Sequence, residues 1–268
     1  MTMYSCLIFA ILLSFSSAYG GGLTGCDGSV LLEKNASSNP NPEKYAENNL
    51  SLRGFQVIEA AKDAVEKKCK QSSPLISCAD VLAFAALGDN FSGYSVPAGR
   101  LDGKVSKAEE AMANLPAPNS SFTKLKDMFG KNNLSVEDLT VLSNAHSVGV
   151  SHCSSFKDRF NPIKKEEIDE EYAKSLKRQC TNDFVTVPQD NVTPDKLDVQ
   201  WYINMQANKV LFFSDWVLRT NDEAERLMTA FAKDEASWQL KFITAMQKMG
   251  QIPSEGKGEI RRVCSAIN

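Results

Sequence analysis

The stretch Ser135-Val136-Glu137-Asp138-Leu139-Thr140-Val141-Leu142-Ser143-Asn144-Ala145-His146-Ser147-Val148-Gly149-Val150-Ser151-His152-Cys153-Ser154-Ser155-Phe156 decides the fold. Ser135 followed three residues later by Asp138 reads as a cap that starts a helix, because side chain and backbone donors at these two positions can satisfy each other. Leu139, Leu142 and His146 then recur at helical spacing, which sets the imidazole on the apolar side of the helix and turns it inward. A histidine so placed is either a hydrogen-bonded core residue or a metal ligand, and this reading leaves both open.

Helical signals repeat on either side. Phe55, Ile58, Ala61 and Val65 share one face, and Ser77 with Asp80 makes a capping box for the apolar run Val81-Leu82-Ala83-Phe84-Ala85-Ala86-Leu87. That run has almost no polar face and is expected in the middle of the fold. Phe122, Leu125, Met128 and Phe129 mark a helix stopped by Gly130, and Trp201, Tyr202 and Met205 another. Asp222 and Glu225 cap a helix carrying Leu227, Met228 and Phe231, while Trp238, Phe242, Ala245, Met246 and Met249 line the last one before Gly250. Residues 21–49, rich in Gly, Asn, Pro and Ser, read as loop. No run alternates as a strand does. The expected class is mainly α, a single domain over residues 21–268, since no Pro/Gly-rich linker divides the helices.

The composition is that of a globular protein: 268 residues, 43% hydrophobic, 24% charged, with 30 basic against 33 acidic side chains. This excludes a disordered chain, a collagen-like repeat and a strongly basic nucleic-acid binder. The apolar run from Cys6 to Phe15, followed by the small residues Ser17, Ala18 and Gly20, is about ten residues long, too short to cross a bilayer and suited to a secretory signal. A signal peptide over residues 1–20 is therefore expected, with a buried N-terminal helix as the alternative. Beyond Cys6 the cysteines are Cys26, Cys69, Cys78, Cys153, Cys180 and Cys264, an even set that suits an oxidising compartment. None forms a C-x-x-C pair, and with only His146 and His152 as histidines a zinc site is not expected. Asn-x-Ser/Thr sequons, among them those beginning at Asn35, Asn49, Asn119, Asn133 and Asn191, are usable as glycan sites in a secreted chain.

Several blocks, in order, resemble the secreted plant (class III) haem peroxidases. Leu142 to Phe156 looks like their proximal haem-ligand signature, with Asn144 where Gly is usual. The others are Gly25-Cys26-Asp27-Gly28-Ser29-Val30-Leu31-Leu32, Leu52-Arg53-Gly54-Phe55, Ser77-Cys78-Ala79-Asp80, Gly99-Arg100-Leu101-Asp102-Gly103, Asn114-Leu115-Pro116-Ala117-Pro118 and Lys248-Met249-Gly250. The resemblance implies a multi-helix peroxidase fold holding haem b. His146 would be the axial ligand of the iron, and Asp215 would take a hydrogen bond from its other nitrogen, giving the ring partial imidazolate character that favours splitting of the peroxide O–O bond. Read from its sequence position alone, Asp215 could equally be a helix N-cap.

The resemblance further implies calcium. Ser147, Asp190, Thr193, the carbonyl of Lys196 and Asp198 would form a proximal site, and a glycan on Asn191 would crowd it; Gly25, Asp27 and Ser29 match half of a distal site. Glu43 and Asn48 match residues that tie the distal calcium loop to a distal histidine. Pro118 matches a rim where aromatic donors dock, or is a turn residue. The family's pairing would give the disulfides Cys78–Cys264 and Cys153–Cys180 and leave Cys26 and Cys69 without partners. Partners would be hydrogen peroxide and small phenolic donors, with no nucleic acid or membrane, in a monomer outside the cell, in the wall or in the vacuole.

The family's distal motif, Arg-x-x-x-His-Asp-Cys on two helices ahead of the Gly25 block, has no counterpart here, where signal-like residues run into Gly21-Gly22-Leu23-Thr24-Gly25. The expectation is a peroxidase-like body lacking its first two helices. Acid-base assistance is worth ~10²–10⁴-fold and a positioned charge on the developing anion roughly 10²–10³-fold, so ordinary turnover should be slow. Two alternatives share the same residues: a non-enzymatic haem- and calcium-binding protein, and the truncated product of a gene for a longer, active enzyme.

Overall fold

The computed structural model describes residues 26–50, 52–69, 73–86, 95–253 and 257–268. The expected signal peptide, Cys6, Gly25 and the stretch from Leu87 to Tyr94 lie outside them. The described chain forms two compact units, residues up to 115 with 246–268, and residues 116–245. The boundary at 115/116 falls in a short turn and the one at 245/246 inside a helix, so neither is marked by composition.

In the first unit, residues 26–50 are irregular but not peripheral. Three 3-10 turns, Ser29–Leu31, Glu43–Tyr45 and Glu47–Asn49, punctuate them, and Val30, Leu31 and Leu32 are fully buried. Helices α1 (Phe55–Cys69), α2 (Cys78–Ala85) and α3 (Ala108–Asn114) follow. Ile58 of α1 and Cys78, Val81 and Leu82 of α2 close a core with Val30, Leu31 and Cys264. The Cys78–Cys264 disulfide runs through it across 186 residues of sequence. The run expected at the centre of the fold is less uniform: Phe84 is exposed.

Only half of the expected box at α2 forms. Ser77 accepts from the Asp80 amide, but the Asp80 carboxylate turns away to the Gly99 amide and the Arg100 guanidinium at 3.0 Å. Arg100 in turn donates to the Gly250 carbonyl at the end of the last helix, where cations suit the helix dipole. Arg261 is fully buried. It donates to the Gly28 carbonyl at 2.6 Å and the Cys264 carbonyl at 2.7 Å, while Asp102, also fully buried, accepts from the Arg261 and Ala79 amides and lies 3.7 Å from the guanidinium.

The second unit opens with α4 (Phe122–Lys131), which Ser121 caps and which runs one residue past Gly130. Next comes α5 (Val136–Ser143), whose Ser135/Asp138 box forms in both directions. A 3-10 turn, Asn144–Ser147, continues it. Two three-residue strands, β1 (Val150–His152) and β2 (Thr186–Pro188), pair antiparallel with Ser151 opposite Val187. Strands this short cannot show alternation, which is why the sequence reading has none. Between them α6 (Glu170–Gln179), capped by Asp169, buries Tyr172, Ala173 and Leu176 in a core with Phe156, Phe160 and Val187, beside the Cys153–Cys180 disulfide.

Helices α7 (Gln200–Gln206), α8 (Phe213–Trp216), α9 (Asp222–Phe231) and α10 (Glu235–Gly250) complete the chain. The cap of α9 is Asn221, not Asp222: its extended backbone lets the amide oxygen reach the Ala224 N–H, and Glu225 pairs with Arg219 instead. Cys26 and Cys69 are free thiols, and burial pushes the Cys26 thiol up to about 11.

Breaking a buried, hydrogen-bonded charge pair costs about 3–5 kcal/mol. Arg261→Met is therefore expected to lower the denaturation midpoint by that equivalent with little change in slope. A midpoint matching the wild type would show that this guanidinium braces nothing.

Candidate functional site

His146 does not sit on α5 itself but in the 3-10 turn that extends it. Ser143 ends the helix by donating back to the Leu139 carbonyl. Asn144, fully buried, then donates from its amide to the Asp198 carbonyl at 2.9 Å. The tighter turn swings the imidazole toward α8, where its Nδ1 lies 2.9 Å from Asp215 Oδ1.

Asp215 is in the first turn of α8, whose N-cap position is Phe212, so the N-cap reading of Asp215 does not hold. Its carboxylate is buried, and Oδ2 has no hydrogen-bond partner among the described residues. The Phe212 ring meets the imidazole edge-on with centroids 5.3 Å apart. One third of the His146 side chain stays exposed, and among the described residues nothing bonds to Nε2. Burial draws the ring toward its neutral form; the neighbouring Asp215 carboxylate outweighs it and raises the pKa above the ordinary 6.5.

Behind Asp215 lie two groups that the sequence reading passes over. Arg159 and Tyr172, both buried, are in electrostatic range of that carboxylate. Nothing in the local sequence marks either, since only the fold brings α6 and the turn Cys153–Arg159 to α8. Pro118 is tied to the same place, for its carbonyl accepts from the Ser214 amide at 2.8 Å.

The five residues expected to hold a cation beside His146 converge. Gly149, at φ 95°, bends the chain into β1, and the pairing of β1 with β2, continued by a bridge between Val148 and Asp195, sets the loop 189–198 against Ser147. Ser147 Oγ lies 3.0 Å from the Lys196 carbonyl and 3.4 Å from Asp198 Oδ1. Thr193 Oγ1 lies 3.2 Å from Asp198 Oδ1 and 3.5 Å from Asp190 Oδ2. Asp190 is fully buried, its Oδ1 accepting from the Val192 and Thr193 amides. Among the described residues no Lys or Arg forms an ion pair with Asp190 or Asp198. The same residues contain no group of three His, Cys, Asp or Glu side chains placed to hold a metal, because this donor set has only two carboxylates, completed by hydroxyls and carbonyls.

In the first unit Asp27 Oδ1 accepts from the Ser29 amide, and Ser29 Oγ donates to Glu43 Oε1, both at 3.0 Å. A Cβ on Gly103 would fall 2.3 Å from Asp27 Oδ2, so a larger residue there would require the Asp27 carboxylate to shift. Glu43 is buried with Oε2 unpartnered among the described residues. Burial, with Asp27 adding to it, pushes its carboxyl up to about 8.

A mainly helical body in which a carboxylate backs an imidazole whose far nitrogen is left open is the architecture of the haem peroxidases. Comparison with known proteins narrows this further: a family model described as peroxidase matches residues 5–234. The chain is 42% identical to Peroxidase 2 of Zea mays over 259 residues, covering 91% of this chain and 76% of that one. It is 40% identical to Peroxidase 5 of Vitis vinifera and 38% to Peroxidase 39 of Arabidopsis thaliana, each over 91% of this chain and 78% of the relative. The chain belongs to the class III plant peroxidase family, and by family it is a haem peroxidase, an oxidoreductase acting with hydrogen peroxide and a donor. Members of this family are typically secreted, and among the described residues no helix is long and apolar enough to cross a membrane.

The His146–Asp215 pair has a pH signature in haem-free protein. A histidine whose folded pKa is raised stabilises the fold fully below its unfolded value near 6.5 and loses that contribution as pH climbs through the folded value. Denaturant unfolding of wild type and Asp215→Asn should differ most below pH 6.5 and converge on the alkaline side. A pH-independent difference would mean that the ring and carboxylate do not share charge.

Proposed function

We propose that this chain binds haem b through Nε2 of His146, reduces hydrogen peroxide and oxidises small phenolic donors, and turns over slowly. The 2.9 Å contact between His146 Nδ1 and Asp215 Oδ1 carries the reading. Haem, when bound, supplies the redox-active iron at which the peroxide O–O bond is split.

The fit rests on three features of the chain. By accepting the Nδ1 proton, Asp215 fixes the tautomer so that the Nε2 lone pair is free, and makes the ring a stronger donor. Phe212 packs edge-on against the ring and limits its rotation. The 33% exposure of the imidazole leaves the open nitrogen reachable.

Among the described residues no second histidine is placed to take the proton of peroxide. Of their two histidines, His152 lies on β1 with Nδ1 3.1 Å from the Phe184 carbonyl, six residues from His146. Without such a histidine the proton would pass to water, which is why slow turnover is proposed. Pro118, held to the Asp215 helix through Ser214, would form the rim met by the donor.

Calcium would be held by Ser147, Asp190, Thr193, Lys196 and Asp198. Oxygen donors of mixed type around Asp190 and Asp198, which form no ion pair with a Lys or Arg among the described residues, suit a hard divalent cation, and that cation would stiffen the turn carrying His146. Asp27 and Ser29, with Gly25, would supply half of a second site. The two disulfides suit an oxidising compartment, which supports secretion; a monomer of the wall or vacuole that acts on neither nucleic acid nor membrane is what family membership would give.

Two measurements test the reading. Protein reconstituted with haem should show a Soret band that His146→Ala weakens and shifts, and an unaltered spectrum in the variant would remove His146 as ligand. Peroxide-dependent oxidation of a phenol such as guaiacol should run at least several hundredfold slower than in a relative carrying the distal histidine, from the ~10²–10⁴-fold acid-base contribution alone. Comparable rates would show that some other group in this chain handles the proton.

A further inference from the structure

The helix that supplies Asp215 also carries an indole to which the haem reading gives no task. We propose that Trp216 is a redox-active side chain, which gives an electron to the centre oxidised by peroxide and recovers it from an electron-rich aromatic donor at the protein surface. The inference deepens the proposed function and rests on haem binding at His146.

Trp216 follows Asp215 directly in α8, and Asp215 Oδ1 lies 2.9 Å from His146 Nδ1. The indole is therefore one residue beyond the group that backs the imidazole. A line of rings leads the same way. Phe212 meets His146 with centroids 5.3 Å apart, and Phe213, the next residue, faces Trp216 at 5.6 Å and 36°. Electron tunnelling falls off steeply with distance, so a short covalent path with packed rings beside it favours this indole.

Indoles and phenols are the aromatic side chains that give up one electron most readily. Of the three tryptophans in the chain, Trp201 and Trp238 are fully buried, whereas Trp216 is half-buried and can meet a donor in solution. Its Nε1–H donates to Asn208 Oδ1 at 3.1 Å. That amide oxygen stabilises positive charge on the ring but is too weak a base to remove the proton. Asn208 is itself fixed, at φ 56° and with its carbonyl accepting from the Asp169 amide at 3.0 Å. Arg219 donates to the same Oδ1, and Glu225, 3.5 Å from that guanidinium, offsets its charge.

The tyrosines of the second unit are poorer candidates. A phenol that loses an electron must also lose its proton. The Tyr172 hydroxyl is buried with no hydrogen-bond partner among the described residues, and that of Tyr202 donates to the Thr140 carbonyl at 3.2 Å. Neither has a hydrogen-bonded base, and burial holds both above the ordinary tyrosine range.

Hydrogen peroxide is the oxidant. Its O–O bond breaks as it takes up two electrons and two protons and leaves as two waters. Each electron comes from the indole π system, which becomes a radical cation with its N–H intact, and no bond to the tryptophan forms or breaks. A phenol then returns the electron and releases its proton to water, becoming a phenoxyl radical. Two phenols balance one peroxide.

The full chain reconstituted with haem would be given peroxide, without donor, in the presence of the spin trap nitroso-tert-butane, then digested with trypsin and mapped by mass spectrometry. The adduct is expected on Trp216, in the peptide 210–219. It should disappear in Trp216→Phe while the Soret band stays, and guaiacol added with the peroxide should suppress it in the wild type. An adduct on Tyr45, Tyr172 or Tyr202 in place of Trp216, or peroxide consumed with the protein unlabelled, overturns the assignment and leaves the haem reading standing. A wild type without a Soret band removes the haem reading and the relay with it. The wild-type map decides the assignment even where Trp216→Phe does not fold.

Discussion

One hydrogen bond, from the Nδ1 side of His146 to a buried carboxylate oxygen of Asp215 2.9 Å away, organises the second unit. It joins residues 69 positions apart and needs both in place before either has a role. A buried carboxylate without a partner is costly, so the imidazole stabilises Asp215 as much as Asp215 orients the imidazole. The remaining carboxylate oxygen, unpartnered among the described residues, sits in the field of Arg159. That guanidinium is itself anchored on the Glu167 carbonyl, so the charge behind the ring belongs to a fixed framework.

The same constraint explains elements with no chemistry of their own. The ring reaches Asp215 only because the helical path tightens at Asn144, and the tightening is held by the Asn144 amide on the Asp198 carbonyl. Asp198 also receives the Gln200 amide, which fixes the start of α7. The short pairing of β1 with β2 is what brings the loop 189–198 to Ser147. Geometry at the imidazole is thus set from a loop some fifty residues downstream, and a cation in that loop would act on the ring through these bonds without touching it.

Legibility in the sequence followed how local each feature is. The Ser135/Asp138 cap, the apolar face of α1 and the last helix depend on neighbours three or four residues apart and could be read directly. The cap of α9 reads one residue late in sequence, because Asn221 and Asp222 are equally good caps there and only the extended backbone at Asn221 separates them. Asp80 looked like the return half of a box, yet an arginine twenty residues away outcompetes a neighbouring amide for its carboxylate. His146 and Asp215 stand out only through the family resemblance, since spacing alone leaves the histidine between core residue and ligand. Arg159 and Tyr172 could not be found in either way: an isolated arginine and a tyrosine in a polar helix become a charge framework only after three elements pack.

The two units handle buried acids differently, and the difference follows from their partners. Asp190 is surrounded by donors, two backbone amides on one oxygen and the Thr193 hydroxyl near the other, so the fold supplies what an anion needs. Glu43 has one hydroxyl on Oε1, nothing on Oε2 among the described residues, and Asp27 as an electrostatic neighbour. With its carboxyl pushed up to about 8, it is held mainly as the neutral acid at pH 7. A proton there does the work that amides do in the loop 189–198.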